Sequence, residues 1–219
     1  MLKVSEDSLS QKLGDKLHGT IAKAITLART LLPQIPSEIT VEFEDRTENS
    51  GVGVSGYPRA AGAIVLAWDE GFPDKRAQLV SLRTEVLHQA FHWCQGYTYE
   101  SAAVTPETAL EVAVYEGAAS VFAREHSEAR PLWIKYEPLD DSVLRGWCEE
   151  LRSMPAATYA ATPELWRTWS GPQADPDQSW RSYRVGTWLV DQYLQRTGKS
   201  VIDLLDVPAK DVLKLLLIA

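Results

Sequence analysis

Apolar residues recur at every fourth position near the start of the chain, at Leu9, Leu13, Leu17, Ile21 and Ile25. Four residues are slightly more than one turn of an α-helix, so these side chains share one face of a helix. Most of the positions between them are polar or small. The pattern therefore predicts an amphipathic helix from about residue 8 to residue 32.

Two later stretches have the patterns of β-strands. Residues 39–44 (ITVEFE) alternate apolar with polar side chains, as a half-buried strand does. Residues 63–68 (AIVLAW) are a short apolar run with β-branched residues in its middle, which favours a buried strand over a helix. We expect the second strand to be an edge strand, to which an extended peptide could add. The glycine-rich residues 49–58 are expected to form a loop.

Helical patterns follow the second strand. Asp74 is a good N-cap for a helix that runs to Gln95, where Gly96 can supply the left-handed stop. Thr105 can cap a second helix, which carries the apolar run LEVAVYEGAASVFA. Residues 163–176 have no clear periodicity and are a candidate for a loop or lid, although ordered packing of Trp166 and Trp169 is the favoured interpretation. Further helices are predicted at residues 139–154, 179–197, 200–205 and 208–217.

The composition restricts the location and the partners of the protein. Its formal net charge of −8 argues against binding to nucleic acid or to an anionic membrane. The chain contains no apolar run of about 18 residues, and its first residues lack the apolar core of a signal peptide, so we expect a cytoplasmic protein. Cys94 and Cys148 are too few for a disulfide framework and are expected to be reduced.

Two histidines, His88 and His92, lie four residues apart in the predicted helix that ends at Gln95. This spacing places both imidazoles on one face, as in a metal-chelating pair. In the zincin motif H-E-x-x-H a glutamate follows the first histidine and acts as the general base, but here that position carries Gln89. The alternative, that the two histidines are ordinary surface or core residues that bind no metal, stays open.

Two glutamates bear on this pair. Glu116 interrupts an apolar helical run, where a carboxylate is costly unless it is paired or bound to a metal. Glu85 lies one turn before His88, on the same face as the two histidines. It is expected to be either a partner that orients an imidazole or a solvated charge.

Together the segments HQAFH and YEGAA, with a spacing of 24 residues from His92 to Glu116, resemble the glutamate-zincins. The set is more similar to DUF2268, a family of predicted zinc-dependent proteases, whose late G-Y-x-x-G-Y-like helix is matched by SYRVGTWLVDQYL. The resemblance covers roughly residues 79–213. It implies Zn²⁺ bound by His88, His92 and Glu116, with Gln89 at the position of the general base. Tyr183, with Arg184 beside it, would be a possible oxyanion stabiliser.

The resemblance also implies a zincin-like α+β fold. We expect a small, mostly antiparallel sheet, an active-site helix with the H-x-x-x-H pair, a second ligand helix and a helical C-terminal part. The chain is predicted to form a single domain over residues 1–219. Its parts are an N-terminal helix and sheet (1–73), the metal-site helices (74–125) and the C-terminal part (126–219).

Three explanations of Gln89 stay open: an engineered substitution, a natural loss of the base, or the use of another carboxylate such as Glu85 or Glu111. The favoured function is a zinc metallopeptidase scaffold acting on a peptide or protein, inactive or weakly active because glutamine cannot take a proton. The alternative is a noncatalytic module that binds a metal or a peptide.

Overall fold

The computed structural model describes residues 2–4, 8–32, 34–35, 38–44, 51–59, 62–98 and 104–217, with side chains from residue 14 to residue 216. The fold is α+β, as predicted, and most of it is helical. Two compact units are present, one of residues 1–104 with 123–129 and the other of residues 105–122 with 130–219. The assignment of the whole chain to one domain stays a prediction.

The first unit contains a mixed sheet and two long helices. The sheet has the strand order β1-β2-β4-β3, with β1 parallel to β2, β2 parallel to β4, and β3 antiparallel to β4. The prediction of a mostly antiparallel sheet is therefore wrong. The elements are β1 (Leu2–Val4), α1 (Ser8–Leu31), β2 (Ile39–Glu44), β3 (Val54–Arg59), β4 (Ala63–Trp68) and α2 (Lys75–Gln95).

An inner strand of the sheet is β4, which lies between β2 and β3. All six of its residues are buried, and a continuous apolar run is typical of a strand that is covered on both faces and has a parallel neighbour. The prediction that this segment forms an edge strand is wrong, because burial of the run indicates a central position. The run specified burial but did not specify the direction of the neighbouring strands.

The edge strand beside β4 is β3, which lies in the segment predicted to be a loop. Gly51 and Gly53 have φ angles of +74° and +78° and precede the strand, so the glycine-rich pattern ends where the strand begins. Pro58 has no N–H to donate and is tolerated because β3 is at an edge. This strand was missed in the sequence because glycine and proline are typical of loops.

The helix α1 confirms the predicted apolar stripe where its side chains are described. Leu17, Ile21 and Ile25 are all buried, while the side chains of Leu9 and Leu13 lie outside the described part. Gly14 interrupts the regular helix with a φ angle of +66°. Within the described residues, no helix combines the length and the apolar character needed to cross a bilayer.

The helix α2 has the predicted ends. The Asp74 side chain accepts hydrogen bonds from the backbone N–H groups of Arg76 and Ala77, and Gly96 ends the helix with a φ angle of +72°. All residues from 84 to 92 are buried, so the middle of α2 has no solvent-facing side. A polar side chain in this stretch therefore needs a partner inside the protein.

The second unit is helical. Its helix α3 begins at Ala109, and the Thr108 hydroxyl accepts a hydrogen bond from the N–H of Glu111, so the cap is Thr108 and the prediction of Thr105 is wrong. The loop or lid predicted at 163–176 is also partly wrong, because the segment contains α6, and the predicted packing is confirmed for the buried Trp169 but not for the exposed Trp166. The helices that lie wholly or mainly in this unit are α3 (Ala109–His126), α4 (Asp141–Ser153), α5 (Ala156–Ala161), α6 (Pro163–Ser170), α7 (Arg181–Thr197) and α8 (Ala209–Leu217), with short 3₁₀ helices at Leu132–Ile134, Pro176–Gln178 and Val201–Asp206.

The helices α3 and α7 touch through their backbones at two glycines. A Cβ atom on Gly117 would lie 2.1 Å from the carbonyl carbon of Gly186, and one on Gly186 would lie 1.7 Å from the carbonyl oxygen of Ala113. Neither distance leaves room for a side chain. The two helices can approach this closely because both positions lack a Cβ.

Candidate metal centre

The two histidines of α2 are neighbours inside the protein. His88 and His92 are each 2% exposed, and their Nε2 atoms are 2.9 Å apart. The rings meet edge to face, with centroids 4.5 Å apart and an interplanar angle of 86°. This burial excludes the interpretation of the pair as surface residues.

The C-terminal end of α2 fixes the backbone of the second histidine. The carbonyl oxygen of His92 accepts hydrogen bonds from the N–H of Gly96 and, at 3.0 Å, from that of Tyr97. The ring of Tyr97 also lies 5.1 Å from the ring of His92. The left-handed glycine that ends the helix thus brings an aromatic ring against one of the two imidazoles.

A third possible ligand is Glu116 on α3, which is half-buried. His88, His92 and Glu116 form a group of possible metal ligands among the described residues, with one donor atom of each within 4.8 Å of the others. Glu116 also contributes to the electrostatics of Tyr159. Burial chiefly raises the pKa of that phenol, and the negative charge of Glu116 raises it further.

The donor set suits zinc. Two imidazoles and one carboxylate are the protein ligands of a common catalytic zinc site, which keeps its fourth position open. Two nitrogen atoms at about 2.0–2.1 Å from a tetrahedral zinc would be about 3.3 Å apart. The observed separation of the two Nε2 atoms is 2.9 Å, so a shift of a few tenths of an ångström would accommodate the metal.

Between the two histidines, Gln89 is held by both hydrogens of its amide. Its Nε2 atom donates to Oε1 of Glu85 at 2.8 Å and to the carbonyl oxygen of Gly56 at 3.2 Å. Gln89 is 5% exposed. Its Oε1 atom is buried and has no hydrogen-bond partner among the described residues.

The partner of this glutamine, Glu85, is only 6% exposed, so the interpretation as a solvated charge is wrong. The spacing of four residues from Glu85 to Gln89 could have indicated this contact. The second acceptor could not be found in this way, because Gly56 lies on β3, which the sequence analysis missed. A Cβ on Gly56 would lie 2.6 Å from the carbonyl oxygen of Val65 and 3.3 Å from Oε1 of Glu85, so the position has no room for a side chain.

The aromatic candidate Tyr183 lies in the second unit. Its ring packs edge to face against Trp133 and Trp180, with centroid distances of 6.2 and 5.7 Å. Its role as an oxyanion stabiliser stays a prediction. The neighbouring Arg184 is fully buried, and burial lowers the pKa of its guanidinium.

The guanidinium of Arg184 donates to three backbone carbonyl oxygens, those of Tyr136, Pro176 and Asp177, each at 3.3 Å. These bonds join α7 to two connecting segments of the second unit. The contacts therefore support a structural role for Arg184 in place of the proposed oxyanion role.

Comparison with known proteins gives one match, to a protein family. No curated protein and no solved structure matches the chain. The family model DUF2268, described as a predicted Zn-dependent protease, matches residues 17–214. This range extends the predicted resemblance from residue 79 back into α1. The protein therefore belongs to the DUF2268 family of predicted zinc-dependent proteases.

Proposed function

We propose that this protein is a zinc metallopeptidase scaffold of the glutamate-zincin type, in which His88, His92 and Glu116 hold the metal. The observation that carries the proposal is the buried pair of imidazoles, with Nε2 atoms 2.9 Å apart on consecutive turns of α2. A carboxylate within 4.8 Å completes a set of ligands typical of catalytic zinc. A zincin-like fold is part of the same proposal.

Each side chain of the centre has a distinct role in this proposal. Zinc in such a site supplies a Lewis acid and lowers the pKa of water. His88 and His92 bind through neutral nitrogen atoms, and Glu116 offsets the positive charge. Gln89 can orient a bound water or substrate by a hydrogen bond, but a carboxamide cannot accept a proton as the general base does. Peptide hydrolysis is therefore expected to be weak or absent.

The outer edge of β3 is a suitable place for an extended peptide. β3 is the last strand in the order of the sheet, and its Gly56 carbonyl contacts Gln89. A peptide that added to β3 would bond through main-chain groups. Addition of a peptide is therefore proposed at β3 and not at residues 63–68, which were predicted to be the edge strand. A peptide or protein as substrate and a cytoplasmic location stay predictions from the sequence.

Metal analysis tests the ligand assignment. The unaltered protein and His18→Ala, which changes an exposed histidine, should each retain about one zinc per chain after dialysis. His88→Ala should retain little or none, because two remaining ligands hold zinc weakly. Equal zinc content in the His88→Ala variant and the His18→Ala control would overturn the assignment.

The noncatalytic alternative is favoured by the hydrogen bonds of Gln89, because its amide fits the site better than a carboxylate would. A mixed peptide library, read by mass spectrometry with zinc and with chelator, separates the two functions. A general base typically contributes about 10² to 10⁴ in rate. Zinc-dependent cleavage by Gln89→Glu alone would support the peptidase scaffold. No cleavage by either form, with zinc bound, would support the noncatalytic module.

A third outcome of the same assay concerns Glu85. Equal zinc-dependent cleavage by the unaltered chain and by Gln89→Glu would show that the glutamine does not limit the reaction. Another carboxylate would then serve as the base, and Glu85 is the candidate because its Oε1 atom lies 2.8 Å from the amide of Gln89.

A further inference from the structure

We propose that Glu85 is a positioning residue that fixes the carboxamide of Gln89 in one orientation, with its oxygen left to accept a hydrogen bond from an N–H or O–H group of a ligand. This proposal rests on the proposed function only in taking the surroundings of Gln89 as the place where a ligand binds. The contacts that carry it all lie in the first unit and need no metal.

The orientation follows from the two neighbours of the amide. A carboxylate oxygen of Glu85 and the backbone carbonyl of Gly56 are both acceptors, so only the NH₂ end of Gln89 can face them. If the amide were rotated by half a turn, it would place its oxygen against two other oxygens. Both hydrogens of the NH₂ group are therefore used inside the protein, and Oε1 is the remaining polar atom.

The environment of Oε1 indicates what it can bind. The atom is buried, and none of the described residues donates a hydrogen bond to it. A buried acceptor without a donor is costly, so the site favours a ligand that supplies one. The matching chemical class is an amide N–H or a hydroxyl group, as in a peptide, an alcohol or water.

Glutamine also suits this position better than glutamate would. A glutamate at position 89 would bring a second carboxylate to about the 2.8 Å that now separates Oε1 of Glu85 from the amide nitrogen, and would face the Gly56 carbonyl as well. Like charges at such a distance disfavour each other. The pairing is therefore matched to a carboxamide at position 89.

Nuclear magnetic resonance of the full-length protein, labelled with ¹⁵N in glutamine and kept metal-free with chelator, tests the positioning role. The side-chain NH₂ signals of Gln89, identified by their loss in Gln89→Glu, should exchange slowly with water. Glu85→Ala should speed this exchange by about tenfold or more, because the bond to a charged acceptor is lost. Glu85→Gln should stay close to the unaltered chain, since its amide oxygen can still accept.

An internal reference is available in the same helix. The amide of Gln78 donates to the carbonyl oxygens of Gly53 and Asp69, both at 2.7 Å, and has no bond to Glu85. Its signals should not change in any variant that folds. If Glu85→Ala loses the Gln78 signals, Glu85→Met, which keeps more of the volume, provides the same comparison.

Unchanged Gln89 exchange in Glu85→Ala or Glu85→Met would overturn the proposal, as would an equal increase in Glu85→Gln. Acetohydroxamic acid, which carries N–H and O–H donors, tests the acceptor with the zinc-loaded chain. Its affinity should fall about fivefold or more in Glu85→Ala and stay near that of the unaltered chain in Glu85→Gln. Equal affinity in all three forms would overturn the acceptor role. A chain that binds no zinc would refute the proposed function but would leave the metal-free exchange result to decide the positioning role.

Discussion

Replacement of Gln89 by glutamate tests whether the amide is built into the fold. The two side chains have nearly the same shape, and from the sequence alone the substitution would be expected to leave the fold intact. The structure gives a different expectation. The glutamate would lose the donor that now serves Oε1 of Glu85 at 2.8 Å and the carbonyl of Gly56 at 3.2 Å.

The cost of this substitution can be worked out from the two bonds. A hydrogen bond to a charged group contributes about 1.5–3 kcal/mol to stability, and one to a backbone carbonyl about 0.5–1.5 kcal/mol. Because Gln89 is only 5% exposed, water cannot replace these bonds. The free energy of unfolding should therefore fall by about 2–4 kcal/mol. For a chain of this length the melting temperature should fall by about 5–15 °C.

Thermal unfolding, followed by circular dichroism at neutral pH with chelator present, measures the effect without any metal. The control is the exchanged pair Glu85→Gln with Gln89→Glu, in which the new glutamine can donate to the new glutamate. This pair should recover the larger part of the loss but not the part due to the Gly56 carbonyl, which still faces a carboxylate. A melting temperature of Gln89→Glu within about 2 °C of the unaltered chain would refute the reasoning.

Three further predictions concern a ligand, a helix contact and the thiols. Glu116→Ala should lower the melting temperature more with zinc than with chelator, because a metal bound only by the folded state stabilises it; equal losses would indicate ordinary packing. Gly186→Ala should lower the free energy of unfolding in urea by about 3 kcal/mol, since the added Cβ would lie 1.7 Å from a backbone oxygen. The control is Gly146→Ala in α4, whose added Cβ meets nothing within 4 Å, so its effect should be neutral or slightly stabilising. Burial raises the pKa of Cys94 and of Cys148 to about 12, so both thiols should stay protonated at pH 8 and react slowly with iodoacetamide. The free energy of unfolding should fall as the pH rises above about 9, because the thiols of the unfolded chain lose their protons there. Rapid alkylation of the folded chain would contradict this prediction.

Local signals in the sequence were sufficient for the helix that carries the histidines. Asp74 and Gly96 specify the two ends of α2 by hydrogen bonds to near neighbours, and the four-residue spacing specifies that His88 and His92 share a face. These features depend on residues within about one turn of each other. They could therefore be read without knowledge of the rest of the chain.

The features that escaped prediction depend on distant parts of the chain. The pairing of β2 with β4 is parallel, and an apolar run such as residues 63–68 indicates burial without specifying which strands lie beside it. The missing strand β3 had a further consequence at the site. The second acceptor of the Gln89 amide is a backbone carbonyl, a group that every residue carries, so the residue type did not reveal this contact.

The contact between Gly117 and Gly186 constrains how this protein can vary. Glu116 directly precedes Gly117, whose Cα lies against the backbone of α7 with no room for a methyl group. A larger residue at either glycine would push α3 away from α7 and carry the Glu116 carboxylate with it. Sequence change within α7, far from YEGAA in the chain, can therefore alter the position of a proposed metal ligand while every ligand stays the same. The presence of His88, His92 and Glu116 in a related sequence is therefore not enough to show that the proposed site is preserved, and the two glycines have to be checked as well.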